Sequence, residues 1–198
     1  MIRFEPRPKP KGFVERVEHP GAKWLATHTT EHRPRAYWRE FLSQLQDAFG
    51  SLCAYGAMYE PVGTVDHFIS LDEDRSKAYD WTNYRFASQW LNASKQNLKS
   101  NQLIDPFEVN SEWFEIKLPS LQLVMTKHVP DEWRERAAFM LKRLHLGHDE
   151  RIIRQRQAWY RMYQNGKITL DVLAEMAPLI AAAVKKRNAI TRMEAGNG

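Results

Sequence analysis

A single cysteine, Cys53, stands in the 198 residues. That excludes an internal disulfide framework and any zinc site built from several thiolates of the chain itself. Long apolar runs are missing too, and nothing approaches the ~18 consecutive apolar residues that a membrane span needs. The opening stretch, MIRFEPRPKPKGF, holds no apolar segment of the kind a secretory signal carries, so the expected compartment is the cytoplasm and no membrane partner is expected. No internal repeat and no low-complexity tract occurs. The histidines at 19, 28, 32, 128, 145 and 148 form no pattern with metal-ligand spacing and read as surface or loop groups.

What is present is an ordinary apolar fraction of 43%, enough to bury a core in one domain or one domain with appendages. The charge of +5 is unevenly spread. Residues 1–39 hold nine Lys and Arg against four Asp and Glu, residues 40–130 hold seven against twelve, and residues 131–198 hold thirteen against eight. Basic flanks around an acidic centre suit phosphate binding by the flanks and cation binding by the centre. A solvated surface with a basic tail explains the same counts.

The prolines at 6, 8, 10, 20 and 34 and the lack of a sustained period predict that residues 1–34 form an extended basic arm, docked on a partner or on the body of the protein. Residues 35–128 read as the core. Within it, Tyr37, Trp38, Phe41, Leu42, Leu45 and Phe49 recur at helical steps up to Gly50. Met58–Ile69 reads as a hairpin, Leu71–Asp80 as a charged loop, Asn83–Lys99 as a helix and Trp113–Met125 as a second hairpin. Residues 129–198 read as helical: Asp131–His145, about Asp149–Gln164, and Thr169 to about Arg192 with Pro178 as a kink, ending in a frayed tail over 193–198.

The stretch from Cys53 to Lys95 carries the candidate chemistry. Asp66-His67 closes the strand-like run TVDHF, Asn83 opens a helical pattern, and Asn92 and Lys95 stand three apart on one face of it. Hydrolysis of a phosphodiester needs a hard cation against the phosphate, a base for water and a donor for developing charge. The Asp66 carboxylate and the Asn92 amide oxygen supply the small oxygen set that Mg²⁺ prefers. Neighbours on a strand face opposite ways, so a metal-ligating Asp66 leaves His67 free to act as base near neutral pH. Lys95 is placed to reach the phosphate as a point charge.

The order DH…N…N-x-x-K, with VDHF, YDWTNYRFA and LNASK, resembles the ββα-metal core of HNH endonucleases, and is similar to a bacterial branch that includes anti-phage nucleases such as the Septu type. The likeness covers residues 50–106, including Asp105-Pro106, and more loosely Leu141–Arg156. It implies an α+β fold: a small ββα-metal core with an added β-hairpin and C-terminal helices. It implies Asp66 and Asn92 as metal ligands for Mg²⁺ or Mn²⁺, His67 as general base, and Asn83 as the asparagine tying loop to helix. It implies a DNA substrate, an ATPase partner protein and a role in phage defence or restriction; HNH enzymes nick or cut both strands, and with one active site per chain double-strand cutting would favour dimers or repeated nicks. Relatives often pin this core with structural zinc on two C-x-x-C pairs. Here those positions read Cys53-x-x-Gly56 and Ser88-x-x-Leu91, so no structural zinc is expected. The lost thiols also suit a non-cutting nucleic-acid- or protein-binding subunit, and an RNA-directed toxin would share the site.

Each residue has a plainer reading. Asp-His is a common pair. Asn83 serves as helix N-cap, site support or both, Asn92 and Lys95 as solvated helix residues, and Cys53 as a small core residue. The tryptophans at 38, 81, 90, 113, 133 and 159 read as core rather than as stacking platforms. Arg151, Arg154, Arg156 and Arg161 either follow a nucleic-acid backbone or form a solvated helix face.

Overall fold

The computed structural model describes residues 1–30 and 33–196, which leaves His32 outside the described residues. The first residues are less extended than their prolines suggest. A π-helical turn, Val14–Glu18, runs directly into α1, His19–Thr27. Pro20 has no N–H and its ring crowds the carbonyl four residues back, and the widened turn just before it relieves both problems. The segment is docked on the body: Phe13 and Val17 are fully buried, and Gly21 lies so close to Tyr79 that a Cβ there would sit 2.3 Å from its ring. A 3₁₀ turn, Tyr37–Phe41, leads into α2, Leu42–Ala48, which stops where Gly50 takes φ +58°.

The central unit is β1, Gly63–His67, paired antiparallel with β2, Tyr84–Ser88, in the register Val65 to Phe86, Asp66 to Arg85 and His67 to Tyr84. α3, Gln89–Lys95, follows β2 without a loop and packs back on both strands. This corrects two expectations. β1 does not pair within Met58–Ile69; its partner lies inside the stretch that reads as a helix from Asn83. All five residues of β2 are buried, so the strand shows no polar alternation, and Phe86, Trp90 and Leu91 fall at helical steps by coincidence. Asn83 therefore ends a 3₁₀ turn and caps no α-helix.

β3, Phe114–Lys117, and β4, Gln122–Met125, form the second hairpin. Four helices complete the chain: α4, Asp131–Arg143; α5, Glu150–Gln164; α6, Leu170–Met176; and α7, Pro178–Gly196. Pro178 separates two helices where a kink was expected. α7 continues through most of the supposed tail, and Asn197 and Gly198 lie outside the described residues. Arg156 is not on a solvated stripe: it is buried and donates to the carbonyls of Leu121, Leu146 and Gly147, tying α5 to the loops beneath it. The fold is α+β, with two apolar clusters on either side of the β1–β2 hairpin. Phe13, Phe41, Val65, Trp81, Tyr84 and Phe86 belong to one. Ala87, Leu91, Ile104, Leu123 and Val184 belong to the other, which the C-terminal helices close. Among the described residues no helix is long and apolar enough to cross a membrane.

Candidate active site

Asp66 and His67 end β1 on opposite faces, as strand geometry requires. His67 lies on the aromatic side, edge-on to Trp38 at 4.8 Å and to Tyr84 at 5.1 Å between ring centres. Its Nε2 is 2.9 Å from the carbonyl oxygen of Ala78. A carbonyl only accepts, so Nε2 carries the hydrogen and the Nδ1 lone pair is left without a partner among the described residues. Burial pushes the imidazole below its ordinary value, outweighing the opposing pull of the Ala78 carbonyl and the Asp66 carboxylate. The ring is thus held neutral, in one tautomer.

Asp66, 2% exposed, sits in a charged interior on the other face. The Tyr55 hydroxyl donates to Oδ2 at 2.5 Å, and the Lys95 ammonium donates to Oδ1 at 3.1 Å and to the His67 carbonyl at 2.6 Å. Burial, then the nearby carboxylate, raise the Tyr55 phenol well above its usual range, so it stays a donor. Lys95 is fully buried. The expected phosphate contact is therefore corrected: one turn beyond Asn92, the side chain points under the site, where the Asp66 charge holds it. Beside this pair, Arg85 forms a two-pronged ion pair with Asp105, with Nε at 2.8 Å from Oδ1, and lies over the Phe107 ring at 3.7 Å. Arg85 is the residue that sequence reasoning missed; a lone arginine in the buried run YRFAS was the available signal.

Asn83 does not reach the cleft. Its Oδ1 accepts from Ile69 N–H at 2.7 Å, and its Nδ2 donates to the carbonyls of Ile69 and Lys77 at 3.0 and 3.2 Å. It clasps both ends of the loop whose Ala78 orients His67. Asn92, half-buried on α3, turns its amide nitrogen to the Val65 carbonyl at a long 3.5 Å, which leaves Oδ1 outward. Asp66, His67 and Asn92 all line one cleft of about 410 Å³, with Ser70, Asp72 and Arg33 on its other walls. Among the described residues, no three His, Cys, Asp or Glu converge as a metal cage. Asp66 and Asn92 nevertheless suit a cation that takes few protein ligands: each carboxylate oxygen has a lone pair beyond the one its neighbour uses, and Asn92 Oδ1 is unpartnered among the described residues.

Cys53, Gly56, Ser88 and Leu91 come together in the structure. Cys53 Sγ accepts N–H bonds from Gly56 and Ser88, each at 3.4 Å, and lies 3.9 Å from Ser88 Oγ. A Cβ on Gly56 would stand in ordinary contact with Leu91 Cδ1 at 3.5 Å and with Cys53 Sγ at 3.7 Å. Burial raises the Cys53 thiol, which is therefore neutral. No family model matches this chain, and no curated protein matches it either.

Proposed function

We propose that the chain is a metal-dependent endonuclease of the HNH kind, hydrolysing DNA phosphodiester bonds by direct attack of water. One observation carries the reading: β1, β2 and α3 gather Asp66, His67 and Asn92 on one cleft, with Nε2 of His67 engaged by a carbonyl and Nδ1 without a partner among the described residues. Asp66 and Asn92 would hold Mg²⁺ or Mn²⁺, which supplies positive charge against the scissile phosphate and the leaving oxygen. His67 takes the proton of the water at Nδ1 as the water oxygen bonds phosphorus and the bond to the leaving oxygen breaks. Asn83 and Ala78 keep the imidazole oriented, and Lys95 and Tyr55 keep the Asp66 carboxylate fixed.

The test is cleavage of supercoiled plasmid by the purified protein with Mg²⁺, Mn²⁺ or EDTA, beside His67→Ala. Metal-dependent nicking should fall about 10²- to 10⁴-fold in the variant. Cutting at the same rate in wild type and variant would sink the mechanism. A second reading, a non-cutting nucleic-acid- or protein-binding subunit on the same scaffold, is favoured by the closure of Asp66, which has a donor on each oxygen. It requires binding that survives loss of His67 and no metal-dependent turnover. Work beside an ATPase in phage defence is what the resemblance adds, and an RNA-directed toxin with the same site would differ only in substrate.

A further inference from the structure

Beyond His67 the cleft continues into a second lobe of about 580 Å³ of different chemistry. The two lobes share Arg33, Val65, His67 and Leu71, so they form one continuous groove. Asp66 and Asp72 belong to the first lobe, whereas no carboxylate lines the second. Its wall is the half-buried Trp38 with Leu42, Pro34 and Ala36, and its floor is Gly63. Gly63 is bare because Phe86 packs behind it, where a Cβ would lie 2.4 Å from the ring. Arg33 and Arg39 stand on the rim, exposed, with no ion pair among the described residues. Trp38, which reads as core, is only partly so: it touches His67, Tyr79 and Tyr84 and also lines the lobe.

An aromatic wall with an open floor and two unpaired guanidiniums is complementary to a flat ring joined to phosphate. A base inside a duplex is stacked above and below and cannot offer its face to a side wall; an unpaired base can. We propose, on top of the nuclease reading, that this lobe holds the unpaired nucleoside next to the scissile phosphate. The substrate is then a single-stranded or locally unpaired DNA, with Trp38 against the base and Arg33 and Arg39 on the flanking phosphates.

Binding in EDTA separates this from catalysis. Fluorescence anisotropy of the full chain with a labelled DNA strand, its duplex and the RNA strand of the same sequence reads all three arms. The DNA strand should bind about tenfold or more tighter than the duplex. Arg39→Glu, at an exposed position that disturbs no packing, and Leu42→Glu should each weaken strand binding by about tenfold and leave duplex binding unchanged. Trp38→Ala should weaken it by a similar factor, with Trp38→Phe restoring most of it. Equal affinity for strand and duplex, equal losses on both, or preference for the RNA strand would overturn the proposal. Strand preference without metal-dependent cleavage would remove the nuclease reading and keep the subsite; cleavage without strand preference would do the reverse.

Discussion

The two faces of the β1–β2 hairpin hold their candidate site residues by opposite means. On one face, His67 is packed among Trp38 and Tyr84 and donates one hydrogen bond to its scaffold. On the other, its neighbour Asp66 is held by the charge of Lys95 and the hydroxyl of Tyr55, beside the Arg85–Asp105 pair. Packing degrades by increments as atoms are removed. A buried ion pair does not, because removing one partner strands the other in a medium that cannot solvate it. A single strand thus carries two kinds of robustness, one residue apart.

The charged face should break hardest. Lys95→Ala leaves Asp66 without its counter-charge and should cost about 3–5 kcal/mol in urea unfolding. The double variant Asp66→Asn with Lys95→Met should recover much of that loss. A single-variant cost below about 1 kcal/mol would mean that water already reaches the pair. On the ring face, Phe86→Ala should cost about 3–4 kcal/mol as a cavity opens between β1 and α2. Gly63→Ala should cost about 1–3 kcal/mol by overpacking the same ring. Combined with Phe86→Leu it should cost less than the sum of the two, and additive losses would show that the ring can move aside. Tyr55→Phe removes one hydrogen bond to Asp66 and should cost about 1–2 kcal/mol.

The smallest effect is with pH. Burial raises the Cys53 thiol and the Tyr55 and Tyr84 phenols, and burial followed by Tyr37 lifts Tyr79 to about 12. Groups raised on folding stay neutral in the native state while the unfolded chain begins to ionise. Their contribution is complete below the ordinary thiol value of 9.0 and is lost as pH rises toward the folded values. The lowered Met1 amine and His67 imidazole make unfolding free energy rise as pH climbs toward about 8, and through the raised groups it should fall above about pH 9. Tyr55→Phe should lessen the slope, and a slope that steepens or stays the same would count against burial as its cause.

The order DH…N…N-x-x-K was readable because it is local, and so were the second hairpin and α4 and α5, whose periods are regular. The path of β2 was not. A strand buried on both faces has no alternation to display, and its partner lies upstream across a connection of sixteen residues. Lys95 shows the other limit: spacing put it on the right helix, but which way a lysine points depends on whether a carboxylate waits beneath it. Arg85 and Asp105 are separated by all of α3, and nothing short of the fold announces that they meet. Trp38 divides its surface between core and cleft, a distinction that hydrophobicity does not encode.

The knuckle around Cys53 has a practical consequence. One neutral thiol, two backbone N–H bonds and the Leu91 side chain meet at this corner. On the proposed nuclease reading, integrity of the polypeptide and turnover then answer to separate reagents: a chelator should silence hydrolysis while melting temperature and circular dichroism stay where they were. Under that reading an EDTA control should report on chemistry alone, and activity should return in full when the divalent ion is added back, with no refolding step.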